Sequence, residues 1–303
     1  LIWQQPHYIY MAEELYRANP TAETLAKYAE QVEQTAAFMA DFVSVRSGTA
    51  AASRYFLQGA TAMQESMSKD FSYNHPFELA YWQYGLNVAN DWRERQGLPR
   101  HKEWDNICAN LSPLPKTADG IYTAGLTTGQ TEGLKSFDPF DTVASQTSNF
   151  KSQVSKQKET FAEKCRNDHP AVLGPFGMLP AVPLCRDTVT AKKTLDWVMK
   201  NWNWQTTWGW DYGMTAMAAA RLGRPDVALQ VLLIDTQKNT YLPQGHNFQT
   251  ADRLRLYLPG NGALLTAVAM MCAGWEGCQQ PLNPGFPQDG TWNVRWEGLR
   301  KMQ

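Results

Sequence analysis

The segment Asn74-His75-Pro76-Phe77-Glu78-Leu79-Ala80-Tyr81-Trp82 opens the helix that decides the fold class. Proline suits the first turn of a helix, and we predict a helix from Pro76 to Arg95. About ten residues earlier, Gln64-Glu65-Ser66 places a carboxylate in a polar loop. A general acid that acts on a glycosidic oxygen needs this surrounding, because it must stand beside a surface where aromatic planes bind pyranose faces.

Helical spacing recurs along most of the chain. It predicts an N-cap at Thr21 and helices over 7–18, 24–45, 76–95, 101–111, 169–179, 188–201, 212–222, 226–235 and 262–274. Residues 48–73 are predicted to form an irregular loop. A non-helical excursion is expected at about 113–168, with a weakly helical stretch at 151–164. Alternating polar and apolar residues at about 285–298 predict a strand-like closing segment.

The loops between these helices are unequal in length, and no fixed repeat is present, which argues against a solenoid. The sequence therefore predicts one all-α domain over residues 1–303. A helical toroid suits this pattern, because paired helices form two rings and the long loops gather at one end to make a pocket.

Composition excludes several classes of function. The formal charge is −1 and no basic cluster is present, which argues against a nucleic-acid partner. No apolar run is long enough to span a bilayer, so no membrane partner is expected. Five Cys without C-x-x-C spacing and five scattered His predict neither a metal site nor another cofactor. Twelve Trp indicate either large core fillers or a flat ligand such as a carbohydrate.

Four segments combine aromatic and polar residues in predicted loops. They are Trp3-Gln4-Gln5-Pro6-His7, the Glu65 loop with Asn74 and Glu78, the stretch Trp202 to Asp211 with its four Trp, and Gly245 to Gly262. The side chains expected to shape a sugar pocket are Trp3, Gln4, His7, Glu78, Trp208, Asp211, His246 and Asn261. Neither a G-x-S-x-G elbow nor a phosphate-binding P-loop is present.

Taken singly, the carboxylates allow plainer interpretations. Glu65 could be a solvated loop charge, and Asp252 a surface partner of the neighbouring arginines. Asp211 could accept hydrogen bonds from sugar hydroxyls or cap the helix that starts beside it. Glu78 could be an alternative acid or a buried, hydrogen-bonded carboxylate that supports Glu65.

Together, the motifs resemble the bacterial six-hairpin glycosidases, and among them the hydrolases of glycoside hydrolase family 65 and its neighbours in the glucoamylase-like clan. The resemblance covers nearly the whole chain apart from about 125–165. It is carried, in order, by Trp3-Gln-Gln-Pro-His7, Asn74-x-Pro-Phe-Glu-Leu-Ala-Tyr-Trp82, Thr207-Trp-Gly-Trp-Asp211 and Tyr257-Leu-Pro-Gly-Asn-Gly262.

The resemblance implies an (α/α)6 toroid of twelve helices, of which this chain would hold the fourth to the twelfth. Three helices would then precede Leu1, and a periplasmic or secreted location is favoured over a cytoplasmic one. In that clan the general acid lies between helices five and six, which is the loop of Glu65. The base lies between helices eleven and twelve, which implies Asp252, with Asp211 as the fallback.

The function implied by the resemblance is that of an inverting, exo-acting glycoside hydrolase on a small α-glucoside, with a disaccharide or oligosaccharide as partner. Inversion requires the two carboxylates to be roughly 6.5–9.5 Å apart. Related phosphorylases carry a serine-containing phosphate loop where this chain has Leu258-Pro-Gly-Asn-Gly262, so hydrolysis is favoured. A phosphorylase, a polysaccharide lyase and a non-catalytic carbohydrate-binding toroid are the alternatives, and the oligomeric state is undetermined.

Overall fold

Helices dominate the structure. The computed structural model describes residues 2–46, 54–57, 63–67, 72–127, 165–280 and 282–303. Within these ranges the α-helices are α1 (His7–Ala18), α2 (Ala22–Phe42), α3 (Pro76–Arg95), α4 (Lys102–Asn110), α5 (Gly174–Gly177), α6 (Thr188–Asn201), α7 (Gly209–Arg221), α8 (Pro225–Leu232) and α9 (Leu258–Ala273). The mostly helical class predicted from the sequence is confirmed.

Two short antiparallel strand pairs accompany the helices. Strand β1 (Ser44–Arg46) pairs with β2 (Arg54–Phe56), and β3 (Ser72–Tyr73) pairs with β4 (Leu126–Thr127). Three of these strands lie in or beside the region predicted as an irregular loop, so that prediction missed local strand pairing. The stretch 151–164, predicted to be weakly helical, lies outside the described residues.

Three helix starts show how local chemistry sets the boundaries. The Thr21 hydroxyl accepts the Thr24 N–H at 3.1 Å, which confirms the predicted N-cap of α2. Helix α7 begins three residues before the predicted Tyr212. Helix α9 begins at Leu258, so the Leu258–Gly262 segment is its first turn and not a loop. Pro259 fits there because the first-turn N–H groups have no intrahelical acceptor.

The closing segment is not a strand, which corrects the prediction for residues 285–298. Side chains hold it to nearby backbone in place of a strand ladder. Asn283 donates from Nδ2 to the Val294 carbonyl at 3.2 Å and accepts the Trp296 indole N–H at 2.8 Å. Trp292 instead packs against the Phe286 ring, with centroids 5.6 Å apart, so the alternating residues make separate contacts.

The chain divides into two compact units. The first contains residues 1–63, 67–115 and 125–147, and includes α1 to α4. Its central element is α3, which is buried along most of its length. Trp82 donates its indole N–H to the Met39 carbonyl at 2.8 Å, and Trp92 donates to the buried Glu13 carboxylate at 2.7 Å. Aromatic side chains thus bind α3 to its neighbours through both apolar burial and hydrogen bonds.

The second unit contains residues 64–66, 116–124 and 148–303, with α5 to α9. Its central element is α7, every residue of which from Asp211 to Ala220 is buried. Small residues allow neighbouring backbones to approach α7 closely. A Cβ at Gly213 would stand 2.8 Å from the Ala263 Cβ of α9. The prediction that residues 1–303 form a single domain stays a prediction.

Among the described residues, no helix combines the length and the apolar character that a bilayer crossing requires.

Candidate active site

Glu65 lies on a turn that is held in place by hydrogen bonds to the carboxylate of Asp168. Asp168 accepts, at the same oxygen Oδ2, the Gln64 side-chain amide at 3.0 Å and the Ser66 backbone N–H at 2.7 Å. These two donors flank Glu65 on either side. The Glu65 side chain itself is exposed and makes no hydrogen bond to any part of the chain that the structure describes. The turn is held while its central carboxyl group remains available to a ligand.

A histidine between carboxylates forms the buried centre of the site. His169 is 5% exposed, and its Nδ1 lies 3.0 and 3.2 Å from the two oxygens of Asp211. Its Nε2 lies 3.7 Å from Oδ1 of Asp168. Burial alone would lower the pKa of His169, but the charges of Asp211, Asp168 and Glu65 raise it. Glu65 therefore lies within electrostatic reach of this ring.

Aromatic rings surround the same centre. The ring centroid of Trp210 lies 4.7 Å from that of His169, and Trp208 lies 6.2 Å from His169 and 5.5 Å from Tyr257. Burial raises the pKa of Tyr257, and the charges of Asp211 and Glu65 raise it further. An exposed carboxylate, a buried imidazole and partly exposed indoles and a phenol thus lie together, an arrangement suited to a polar ring-shaped ligand.

Asp211 is the third residue of α7, and its side chain reaches back to the N-cap residue Trp208. Its Oδ2 accepts the Trp208 backbone N–H at 2.8 Å, so the side chain takes part in capping although the N-cap itself is Trp208. The side chain is wholly buried and both oxygens have protein partners. Asp211 therefore contributes to the site by holding Trp208 and His169, and presents no free surface to a sugar or a water.

Asn261 fastens the loop that precedes α9. Its Oδ1 accepts the Asn247 N–H at 3.0 Å, and its Nδ2 donates to the Gly245 carbonyl at 2.6 Å. Asn247 and Gln249, both fully buried, continue the network, since Gln249 Oε1 accepts the Gly209 N–H at 2.8 Å. The structure thus fixes the loop from 240 to 257 against the start of α7.

Asp252 and His246 lie on exposed turns of this loop. Within the described residues, Asp252 makes no hydrogen bond or ion pair, so the predicted surface pairing with its neighbouring arginines is wrong. Glu65 lies within electrostatic reach of His169 and Tyr257. A role for Asp252 as base stays a prediction, as does a pocket role for His246.

The segment at Trp3–His7 belongs to the first unit. The Trp3 ring packs edge-on against His7, with centroids 5.4 Å apart, and His7 Nδ1 lies 2.9 Å from the Tyr81 hydroxyl. Burial lowers the pKa of His7, so the imidazole is neutral over a wider pH range than a free one. Gln4 is exposed. Sugar contacts by these three residues stay predictions.

Glu78 is a buried carboxyl group in the first unit. It is 3% exposed, its Oε1 accepts the Met63 N–H at 2.6 Å, and its Oε2 has no hydrogen-bond partner among the described atoms. Burial raises its pKa to about 7. The interpretation of Glu78 as a buried, hydrogen-bonded carboxyl group is confirmed, while its support of Glu65 stays a prediction.

Replacing Glu78 by Gln is expected to stabilise the protein increasingly as pH rises from 4.5 to above 7. The unfolded carboxyl group ionises near 4.5 and the folded one only near 7, so stability falls between these values in the native protein. The difference in unfolding free energy between variant and native protein should change by about 3 kcal/mol over this range. Urea unfolding at pH 4.5, 6 and 8 measures it, with exposed Glu30→Gln as the control. A pH-independent difference would contradict the raised pKa.

Replacing His169 by Gln is expected to cost most stability at acidic pH. Since the folded-state pKa of His169 is raised, the stability contributed by its protonated form is complete below the unfolded value of about 6.5 and declines as pH rises through the folded value. The gap in unfolding free energy between the native protein and His169→Gln should therefore narrow from pH 6 to pH 9. Exposed His246→Gln is the control, and a gap that widens with pH would refute the raised pKa.

Sequence reasoning missed Asp168 and His169 as site residues. Their context nevertheless carries a signal, because Asp168-His169-Pro170 precedes an apolar helical segment in the same way that Asn74-His75-Pro76 precedes α3. In both cases a buried histidine precedes the proline, at 2% exposure for His75 and 5% for His169. The described residues contain no group of three or more His, Cys, Asp or Glu arranged to hold a metal ion.

Comparison with known proteins leaves the function to be argued from this geometry, since no family model matches the chain and no curated protein matches it significantly.

Proposed function

We propose that the protein is an inverting, exo-acting glycoside hydrolase that acts on a small α-glucoside such as an α-linked glucose disaccharide. The observation that carries the proposal is Glu65, an exposed carboxyl group within electrostatic reach of His169 and Tyr257, two rings that Trp208 contacts. Sugar cleavage needs a proton donor at the edge of an aromatic binding surface, and this cluster supplies both.

In the proposed mechanism Glu65 protonates the leaving glycosidic oxygen. Its side chain makes no hydrogen bond to the described protein, so its carboxyl group is free to contact the substrate. Trp208 and Tyr257, whose ring centroids are 5.5 Å apart, stack against the sugar, while Asp211 and His169 hold Trp208 from behind. The stacking supplies affinity, and the hydrogen bonds fix the orientation of the ring to be cleaved.

Asp252 is the proposed base that activates water on the opposite face of the sugar. Its exposure and its freedom from hydrogen bonds among the described residues favour this role over Asp211, whose oxygens are occupied. Inversion would require Asp252 to come within roughly 6.5–9.5 Å of Glu65 in the working enzyme. His246 is proposed to complete the pocket, with Asn261 fixing the loop that carries Asp252.

The proposed architecture is an (α/α)6 toroid. Burial within each unit supports it, because α3 in the first unit and α7 in the second are buried on nearly all sides, as inner-ring helices would be. Helices α2 and α6 bury one face and expose the other, as outer-ring helices would. Two kinds of helix are what two concentric rings require.

Hydrolysis of a panel of gluco-disaccharides, followed by NMR of the anomer first released, tests the proposal. The expected result is release of glucose from one α-linked disaccharide, with the β-anomer appearing first. Turnover that requires added phosphate would identify a phosphorylase, and unsaturated products a lyase. Binding of sugars without any cleavage would reduce the proposal to a carbohydrate-binding role.

A further inference from the structure

Asp168 connects the turn of Glu65 to the buried part of the second unit. One of its oxygens receives both donors that flank Glu65, the Gln64 amide and the Ser66 N–H. The Gln64 amide also donates to the Ser66 hydroxyl at 3.2 Å, so the turn is closed on itself as well as on Asp168. Gln64 is 1% exposed, which means that the turn is anchored by a buried side chain while Glu65 projects outward.

Asp168 is itself held in place from the opposite side. Its carbonyl accepts the indole N–H of Trp202 at 2.7 Å, and its N–H donates to the Cys165 carbonyl at 3.1 Å. The neighbouring Arg166 carbonyl accepts the Asn203 N–H at 2.9 Å. Trp202 is 7% exposed, so the anchor of Asp168 is a buried indole at the end of α6.

From this chain of contacts we infer that Asp168 is a positioning residue for the proposed general acid, fixing the Gln64–Ser66 turn so that the Glu65 carboxyl group meets the glycosidic oxygen. The inference rests on the proposed function. It adds that the geometry of the acid depends on a hydrogen-bond acceptor about a hundred residues further along the chain. A shift of about 1 Å in a catalytic group is enough to cost roughly 10²-fold in rate, so the loss of this clamp should be visible in turnover.

The leaving group of the substrate separates positioning from general damage to the fold. Cleavage of a disaccharide needs the acid, whereas a glycosyl fluoride of the same sugar departs as fluoride with little need for a proton. Asp168→Ala should lower kcat on the disaccharide roughly 10²-fold, with little change in KM, and lower kcat on the fluoride less than about threefold. Asp168→Asn keeps an acceptor oxygen and should lie within about fivefold of the native rate on both. Exposed Asp235→Asn is the control.

Equal losses of Asp168→Ala on both substrates, or a disaccharide rate that stays native, would overturn the inference. If Asp168→Ala does not fold, Asp168→Asn together with Gln64→Ala, which removes one of the two donors, decides between the same outcomes. Amide hydrogen exchange provides a readout without substrate, since the peptide that carries Gln64–Ser66 should exchange about tenfold faster in Asp168→Ala. Unchanged exchange refutes the clamp, whereas normal clamping in a protein that cleaves no sugar refutes only the proposed function.

Discussion

Glu65→Gln is expected to lower turnover on the preferred disaccharide by roughly 10³-fold while leaving the fold intact, because the amide cannot donate a proton to the leaving oxygen. The native side chain is exposed and has no hydrogen bond among the described residues, so its replacement should change the unfolding free energy by less than about 0.5 kcal/mol. Steady-state kinetics and thermal unfolding measure the two effects. Exposed Glu297→Gln, in the same unit, is the matched control and should keep native turnover.

The same variant tests the geometry independently of activity. Glu65 contributes to raising the pKa of His169, so removing its charge should lower that pKa. Proton NMR can follow the titration of His169, since the chain contains only five histidines. An unchanged His169 titration would show that Glu65 lies elsewhere, whatever the kinetics give. Near-native turnover with a shifted titration would leave the site in place and remove Glu65 from the role of acid.

The partner carboxylate gives a second kinetic signature. Asp252→Asn should lower turnover as severely as Glu65→Gln if Asp252 activates the water. The two variants should differ on a glycosyl fluoride, which still needs the base but needs little help from the acid. Strong fluoride hydrolysis by Glu65→Gln and weak hydrolysis by Asp252→Asn is the expected pattern, and the reverse would exchange the two roles.

Local signals in the sequence predicted the bounds of some helices, but the helix predicted over 24–45 ends at Phe42 and α7 begins before the predicted Tyr212. Helices α3 and α6 begin and end at the predicted residues, since Pro76 occupies the first turn of one and Asp187 caps the other through the Thr190 N–H. The prediction for the closing segment failed because the hydrogen bonds of Val294 and Trp296 with Asn283 are not visible in the alternation of residue types. A helix cap involves residues that are neighbours in the sequence and can be predicted from it. Hydrogen bonds between residues further apart form only in the folded chain.

In the candidate site, too, residues within one short segment could be predicted from the sequence, whereas residues that contact a distant segment could not. Trp208 and Asp211 could be found because four tryptophans cluster within nine residues beside a carboxylate. Asp168 could not be found this way, because its partners Gln64 and Ser66 lie 104 and 102 residues away in the sequence. Residues that act by holding another segment reveal themselves only when the fold brings the two segments together.

Gly209→Ala is expected to destabilise the second unit by about 4 kcal/mol, since it combines overpacking with the loss of buried hydrogen bonds. A Cβ at Gly209 would overlap Oδ1 of Asn247 and stand 2.8 Å from its Cγ and 3.0 Å from the Lys238 carbonyl oxygen. Asn247 cannot retreat, because its Nδ2 donates to the carbonyls of Lys238 and Thr240 at 3.1 and 3.2 Å. A Cβ at Gly260 would also overlap Oδ1 of Asn247 and stand 2.6 Å from its Cγ.

The expected loss follows from the position of Asn247 between two glycines at the starts of α7 and α9. Movement of Gly209 would also disturb its N–H bond to Gln249 and the adjacent capping of Trp208 by Asp211. Gly262→Ala is the matched control, because a Cβ there meets nothing within 4 Å and α9 is already helical at that position. That substitution should stabilise the protein by roughly 0.5–1 kcal/mol, since alanine loses less conformational freedom than glycine on entering a helix.

A double-variant cycle isolates the overlap from the other consequences. Asn247→Ala alone should destabilise the unit, because it leaves two carbonyls without their donor. In that background the further cost of Gly209→Ala should fall by about 2 kcal/mol, because the atoms that the new methyl group meets are gone. Chemical unfolding of the four proteins measures this coupling. If the two changes in unfolding free energy are strictly additive, the destabilisation by Gly209→Ala does not arise from contact with Asn247. Asn247 would then not hold the start of α7 in place.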